Sequence, residues 1–164
     1  MASQATFVFN QALWIGGSPC SGKSSIASIL AARYNLILVH TDDYLTPHME
    51  QADAVLQPVM HRLSGLSWNR LFMAPVDQQV DDEFKFYREE FPLLLWDMGQ
   101  LADGRPFLVE GAALLPELLD QHGVKPPKMI YVIPTREFQL QHYAKREFIN
   151  AILSQCDQPD VAFN

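Results

Sequence analysis

One stretch constrains this chain more than any other: Gly17-Ser18-Pro19-Cys20-Ser21-Gly22-Lys23-Ser24. It fits the spacing G-x-x-x-x-G-K-[ST], and each fixed residue has a physical task. The glycines allow backbone conformations that a Cβ forbids, so that successive N–H groups turn inward around an anion. A lysine directly after the second glycine reaches the outer phosphates of a nucleotide, and the next hydroxyl ligates Mg²⁺. A helix beginning near Lys23 aims its positive end and unpaired N–H groups at the same anion. The flanks agree. Ala12-Leu13-Trp14-Ile15 is a short apolar run suited to a buried strand. Ile26, Ile29, Leu30 and Tyr34 recur at helical spacing, with Ala27 and Ala31 beside them. Strand, glycine loop and helix is the order the motif requires. The expected nucleotide contacts are Gly17, Ser18, Pro19, Cys20, Ser21, Gly22, Lys23, Ser24 and Ser25.

The rest of the chain supplies more strands of the same kind. After a cap at Asn35, Leu36-Ile37-Leu38-Val39 is apolar on both faces, as in a parallel sheet covered by helices. It runs into His40-Thr41-Asp42-Asp43-Tyr44, at the carboxyl edge where open α/β sheets bind ligands. Pro106-Phe107-Leu108-Val109 is a third strand ending in Glu110-Gly111, and Met129 to Ile133 is a fourth. Phe7-Val8-Phe9 extends the first strand or packs as an arm. Pro116 opens a short helix to Gln121, Val124 to Lys128 with Pro126 and Pro127 is a loop, and one helix runs from Thr135 to about Leu153.

Residues 45–102 contain no strand pattern. Met49 to Leu63 reads as a helix bent or split at Pro58, and Trp68 to Met73 as a short helix. Val80, Phe84, Tyr87, Phe91, Leu94, Met98 and Leu101 step by four and three alternately, one apolar stripe on a long helix kinked at Pro92. This is too much chain for a plain crossover and looks like an inserted, substrate-covering subdomain. The expected architecture is a single α/β domain over residues 1–164. It is a three-layer parallel sheet with a helical insert at about 45–102, between the second and third strands.

Charge narrows the partners. Twelve Lys and Arg face nineteen Asp and Glu, and a net charge of −7 argues against a general nucleic-acid surface while allowing a local basic pocket. Cys20 and Cys156 are the only cysteines, too few for a disulfide framework. No charged-then-apolar leader opens the chain and no apolar run reaches membrane-spanning length, so a cytoplasmic protein is expected, without membrane or nucleic-acid partners. His40, His48 and His61 fit no usual zinc spacing.

Three islands in order, Gly17 to Ser24, Val39 to Tyr44 and Phe107 to Gly111, resemble the P-loop small-molecule kinases. That branch of the P-loop NTPases includes uridine, nicotinamide-riboside, gluconate and shikimate kinases. The resemblance covers the sheet framework, half of the chain. It implies ATP and Mg²⁺ as cofactors, with Asp42 as the general base that takes the proton of a substrate hydroxyl. Ser24 and the Walker-B-like Glu110 would sit at the metal, and Asp43 at substrate or a metal-bound water. Lys23 and a lid cation would neutralise charge during transfer; Arg136, Lys145 and Arg146 lie where the family carries lid arginines, with Lys145 and Arg146 nearer the ATP side. Strand-end capping is the alternative role for Asp42 and Asp43. Arg62, Arg70 and Arg88 suit either an anionic substrate or a solvated helix face. Trp68 and Tyr44 suit either ring stacking or packing. The family continues into a fifth strand and a base-holding segment, so the resemblance also implies that C-terminal structure is missing or that the nucleotide site is incomplete.

A nucleotide-dependent switch or binding module is the reading from another class. A GTPase needs N-K-x-D, which is absent, and Leu63-Ser64-Gly65-Leu66-Ser67 does not complete L-S-G-G-Q. A kinase of a macromolecular or nucleotide-sugar hydroxyl is a third reading. Substrate identity and oligomeric state are not encoded in any recognisable pattern.

Overall fold

The computed structural model describes residues 11–124 and 128–163, so the expectations for Phe7 to Phe9 and for Pro126 and Pro127 lie outside the described residues. In chain order the elements are β1 (Ala12–Gly17), α1 (Lys23–Tyr34), β2 (Ile37–His40), α2 (Asp42–Gln51), α3 (Pro58–Ser64), α4 (Trp68–Phe72), α5 (Val76–Leu101), β3 (Phe107–Gly111), α6 (Pro116–Gln121), β4 (Met129–Val132), α7 (Arg136–Tyr143), α8 (Glu147–Leu153) and α9 (Pro159–Phe163). The four strands form one sheet in the order β2-β3-β1-β4, and every pairing is parallel. Chain direction across the sheet reverses between β1 and β3. Ligands in open α/β sheets bind at the carboxyl ends flanking such a reversal. Here those ends carry the glycine loop and Glu110.

Strand alternation divides the core between two faces. Ala12 and Trp14 of β1, Ile37 and Val39 of β2, and Phe107 and Val109 of β3 pack with Phe91, Leu94 and Met98 of α5 and with Leu118 and Leu119 of α6. On the opposite face Ile15 and Leu108 pack under Ala27 and Ala31 of α1. Helices thus cover both faces of an all-parallel sheet, the layering expected for strands apolar on both sides. The fully buried side chains Trp14, Phe91, Phe107 and Leu94 mark the thicker of the two layers.

Several elements differ from their sequence reading. Helix α1 forms, but its buried face is Lys23, Ala27 and Ala31, while Ile26, Ile29 and Tyr34 are exposed. Small side chains at every fourth position let the helix approach the sheet closely. The expected helix from Met49 to Leu63 is two helices, the first starting earlier, at Asp42. Between them Asp53 Oδ1 accepts hydrogen bonds from the Val55 and Leu56 amides at 2.8 and 2.9 Å, a local turn that competes with helix. Of the two outcomes read for Pro58, bending or splitting, the structure shows the split, with Pro58 opening α3. Its free N-terminal amides are taken by a distant side chain: Glu89 Oε2 of α5 accepts from Val59 and Met60, both at 2.9 Å.

Helix α5 is continuous for 26 residues across Pro92. Phe91, Leu94 and Met98 of the expected stripe are buried, together with Phe86, Glu90 and Leu95, but Val80, Phe84 and Leu101 are exposed. The stripe is buried where the helix crosses the sheet and exposed beyond it. The C-terminal half of α5 is itself the layer over β1 and β3. The single helix expected from Thr135 to Leu153 is broken into α7 and α8, with Arg146 in an extended conformation (φ −84°, ψ 118°). Thr135 does cap α7, its hydroxyl accepting from the Phe138 amide at 3.3 Å. The carboxyl-terminal stretch, without a signal in the sequence, forms the short helix α9.

The end of β3 tolerates no side chain at position 111. A Cβ on Gly111 would overlap the Thr41 hydroxyl and come within 2.8 Å of Thr41 Cβ, so rotating Thr41 cannot relieve it. Thr41 is itself buried and pinned, its amide donating to the Glu110 carbonyl at 2.9 Å. Gly111→Ala should cost about 1–3 kcal/mol, the usual scale for forced overpacking. Chemical denaturation should show this as a lower midpoint with an unchanged slope; an unaltered midpoint would refute the close packing of β2 on β3.

Candidate functional site

The loop after β1 is shaped by two backbone constraints. Gly17 ends the strand at φ 131°, where an added Cβ would lie 2.7 Å from the Val132 nitrogen and closer still to its carbonyl oxygen. Only glycine fits there, because β4 passes directly alongside and Ser18 donates its amide to the Val132 carbonyl at 3.2 Å. Cys20 (φ 61°) and Gly22 (φ 86°) are both left-handed, folding the chain back into α1. A positive φ at a cysteine is uncommon and is held only by its surroundings. Gly22 is the N-cap of α1 and provides no side chain to satisfy the first-turn amides, and no acidic residue occupies that turn. The first turn therefore presents donors and positive potential to the loop's interior.

Lys23 is only 7% exposed. Its ammonium donates to the Ser18 carbonyl at 2.7 Å and to Ser21 Oγ at 3.4 Å, bridging the two limbs of the loop. Burial holds the Lys23 pKa below its ordinary value; Glu110 and Asp42 oppose that shift, and Arg146 adds to it. These four charged groups come from the starts of α1 and α2, the end of β3 and the break before α8. They line one cavity of about 170 Å³ together with Pro19, Cys20, Ser21, Gly22, Ser24 and Ser25.

Of the candidates read from the sequence, the structure brings Pro19 to Ser25, Asp42, Glu110 and Arg146 together at this cavity. Gly17 and Ser18 lie behind the cavity and shape it rather than line it, and Asp43, one residue beyond Asp42 in the first turn of α2, is not part of its wall. Of the three basic candidates after β4, only Arg146 lines it. The helix break at Ala144 to Arg146 turns that side chain toward the loop, and its guanidinium sits over the Tyr143 and Phe148 rings at 5.8 and 5.6 Å.

Two histidines went unassigned by sequence. His40, the last residue of β2, donates from Nδ1 to Glu110 Oε1 at 2.5 Å, across the β2–β3 register that pairs the two residues. Glu110 is 5% exposed, so this contact orients a buried carboxylate. A histidine and a glutamate each at the carboxyl end of a predicted strand were the available signal. His48 of α2 is buried between two carboxylates of α5, Nδ1 to Glu90 Oε1 at 3.1 Å and Nε2 to Asp97 Oδ2 at 2.8 Å, with the Tyr44 ring alongside. No spacing rule links residues 48, 90 and 97. The arrangement latches the helix that begins with Asp42 onto the long helix over the sheet.

Both ring nitrogens of His48 face carboxylate oxygens, an arrangement that favours the imidazolium. Burial alone would lower its pKa, but the hydrogen bonds and charges of Glu90 and Asp97 outweigh burial and raise it above 6.5. The Tyr44 phenol is raised above 10.0 by burial, Asp97 and Asp43, so it does not titrate in the same range. A raised folded-state value means the stabilisation is fully present below about pH 6.5 and is lost as pH rises through the folded pKa. Thermal melts from pH 6 to 9 should therefore show a falling Tm in the natural protein. His48→Gln should be the less stable protein at pH 6, with the gap closing toward pH 9; a gap that stays constant with pH would contradict the latch.

The donor chemistry around the cavity suits a hard divalent cation. Ser24 and Glu110 offer oxygen ligands, as Mg²⁺ prefers, and Mg²⁺ sites are ordinarily completed by phosphate and water oxygens. Among the described residues no group of three His, Cys, Asp or Glu could hold a metal by itself. No described helix is long and apolar enough to cross a membrane. No family model, curated protein or solved structure matches the chain.

Proposed function

We propose that this protein is a P-loop kinase that moves the γ-phosphoryl group of ATP to a hydroxyl of a small molecule. One observation carries the reading: a glycine loop, a buried lysine, two carboxylates and an arginine, drawn from four separate segments, line the same cavity. A phosphate-binding turn alone needs the loop and lysine. A carboxylate lining the same cavity as the lysine is what acceptor activation adds.

In this reading the loop amides and Lys23 bind the β- and γ-phosphates, and Ser24 and Glu110 would hold Mg²⁺, with His40 fixing the Glu110 carboxylate. The bound ion supplies charge neutralisation at the phosphates. Asp42 accepts the proton of the acceptor hydroxyl as its oxygen forms a bond to the γ-phosphorus and the bond to the β-bridging oxygen breaks, releasing ADP. Arg146 stabilises negative charge on the transferring group; its neighbours Tyr143 and Phe148 hold the guanidinium in place. Lys23, lining the same cavity, carries part of the same charge.

The test is ADP release with Mg·ATP, measured alone and with a panel of hydroxylated metabolites. Turnover raised at least tenfold by particular hydroxyl compounds, with a phosphate ester as product, is the expected result. Turnover raised only by a protein partner would support a nucleotide-dependent switch instead, and no Mg·ATP binding at all would reject both.

A further inference from the structure

Beyond the loop the cavity does not close. A second chamber of about 330 Å³ shares Pro19, Asp42 and Arg146 with the loop cavity and extends away from it between α4, α7, α8 and α9. Behind that threshold its walls are apolar: Phe72, Tyr143, Phe148, Ile149, Ile152 and Phe163. Asp42 and Arg146 are the only charged residues among the described residues that line it, and both stand at the mouth. Burial pushes the Tyr143 phenol up to about 12, so that wall stays neutral through the physiological range. A third cavity of about 420 Å³ continues past Phe72 and Tyr143 toward Trp68 and Arg70.

Resting on the kinase reading, we propose that the acceptor is a hydroxyl compound with an aromatic or otherwise apolar body, not a polyol or a multiply charged metabolite. The chamber has the volume of a small-ligand pocket, where apolar walls hold the body and a few polar groups fix its orientation. A hydroxyl at the mouth meets Asp42, the proton acceptor, and Arg146, while the body behind it lies against the aromatic wall. A sugar acid or polyol would surrender its hydration and find almost no hydrogen-bond partner in exchange. Arg146 and the two rings under it form the boundary between the charged and apolar halves of the site.

The experiment uses the whole chain and two probe pairs: 2-(2-naphthyl)ethanol and 3-phenylpropanol against gluconate and ribitol. Ligand-observed NMR reads binding without nucleotide, calorimetry reads Mg·ATP, and radiolabelled ATP reads transfer to the probe oxygen. The expected result is that the aromatic alcohols bind and become phosphate esters, while the polyols do neither. Ile149→Glu, which places a charge in the chamber wall, should weaken aromatic binding at least tenfold and leave Mg·ATP affinity within twofold. Phe163→Glu, in the last short helix, repeats the test where folding is least at risk. The proposal is overturned if polyols are the better acceptors, or if neither variant alters aromatic binding. It is also overturned if the variants weaken Mg·ATP, because the chamber would then hold the nucleotide base. Aromatic binding without any Mg·ATP binding would leave the chamber intact and reject the kinase reading, so the two failures are distinct.

Discussion

Replacing Lys23 with alanine should weaken Mg·ATP binding by about 10–10²-fold, the scale of a hydrogen bond to a charged group. The side chain does two things that alanine cannot. It bridges the loop through the Ser18 carbonyl and Ser21 hydroxyl, and it is a buried cation lining the same cavity as Glu110 and Asp42. Without it, two carboxylates confront the phosphates with only Arg146 to offset them. Calorimetry of Mg·ATP into the natural protein and the variant, with circular dichroism to confirm that both are folded, measures the effect. An affinity within threefold of the natural protein would show that the loop does not bind phosphate through Lys23.

Asp42→Asn should divide binding from chemistry. Asparagine preserves size and hydrogen bonding but cannot accept a proton, so single-turnover phosphoryl transfer should fall by about 10²–10⁴-fold, the range for general acid–base catalysis. Mg·ATP affinity should hold or improve, because a negative charge near the phosphates is gone. Asp43→Asn is the matched control. Its carboxylate lies in the same first turn of α2 but outside the cavity wall, so transfer should stay within about threefold. If Asp43→Asn is the variant that loses transfer, the base has been assigned one residue too early. If neither does, both aspartates serve only the positive end of α2.

Local chemistry made much of this molecule legible. Asn35 ends α1 in the left-handed conformation that a cap requires, and α6 begins and ends at Pro116 and Gln121 as read. The loop residues, the strand-end carboxylates and the four strands were visible because each depends on neighbours a few residues away. The breaks were not. Helix α3 is capped by Glu89, about thirty residues along the chain, and neither Gly nor Pro marks the break before Arg146. Periodicity also misjudged α1, because a helix can bury alanines and leave isoleucines exposed when close approach to a sheet is worth more than side-chain area.

The sequence alone determined a parallel α/β domain with a glycine loop between its first strand and helix, because steric limits on φ and short-range apolar spacing act within a single element. Only the tertiary structure decided the strand order that sets the loop beside Glu110, the pairing of His40 and the latch at His48. It also put Arg146, and not Arg136 or Lys145, and Asp42, and not Asp43, in the wall of the loop cavity. Each of those choices depends on two side chains meeting from distant parts of the chain, or on which way one backbone break turns a side chain. Hydrogen-bond and charge partners separated by forty or seventy residues leave no periodic trace, because nothing about their energy depends on sequence distance once the sheet has brought them together.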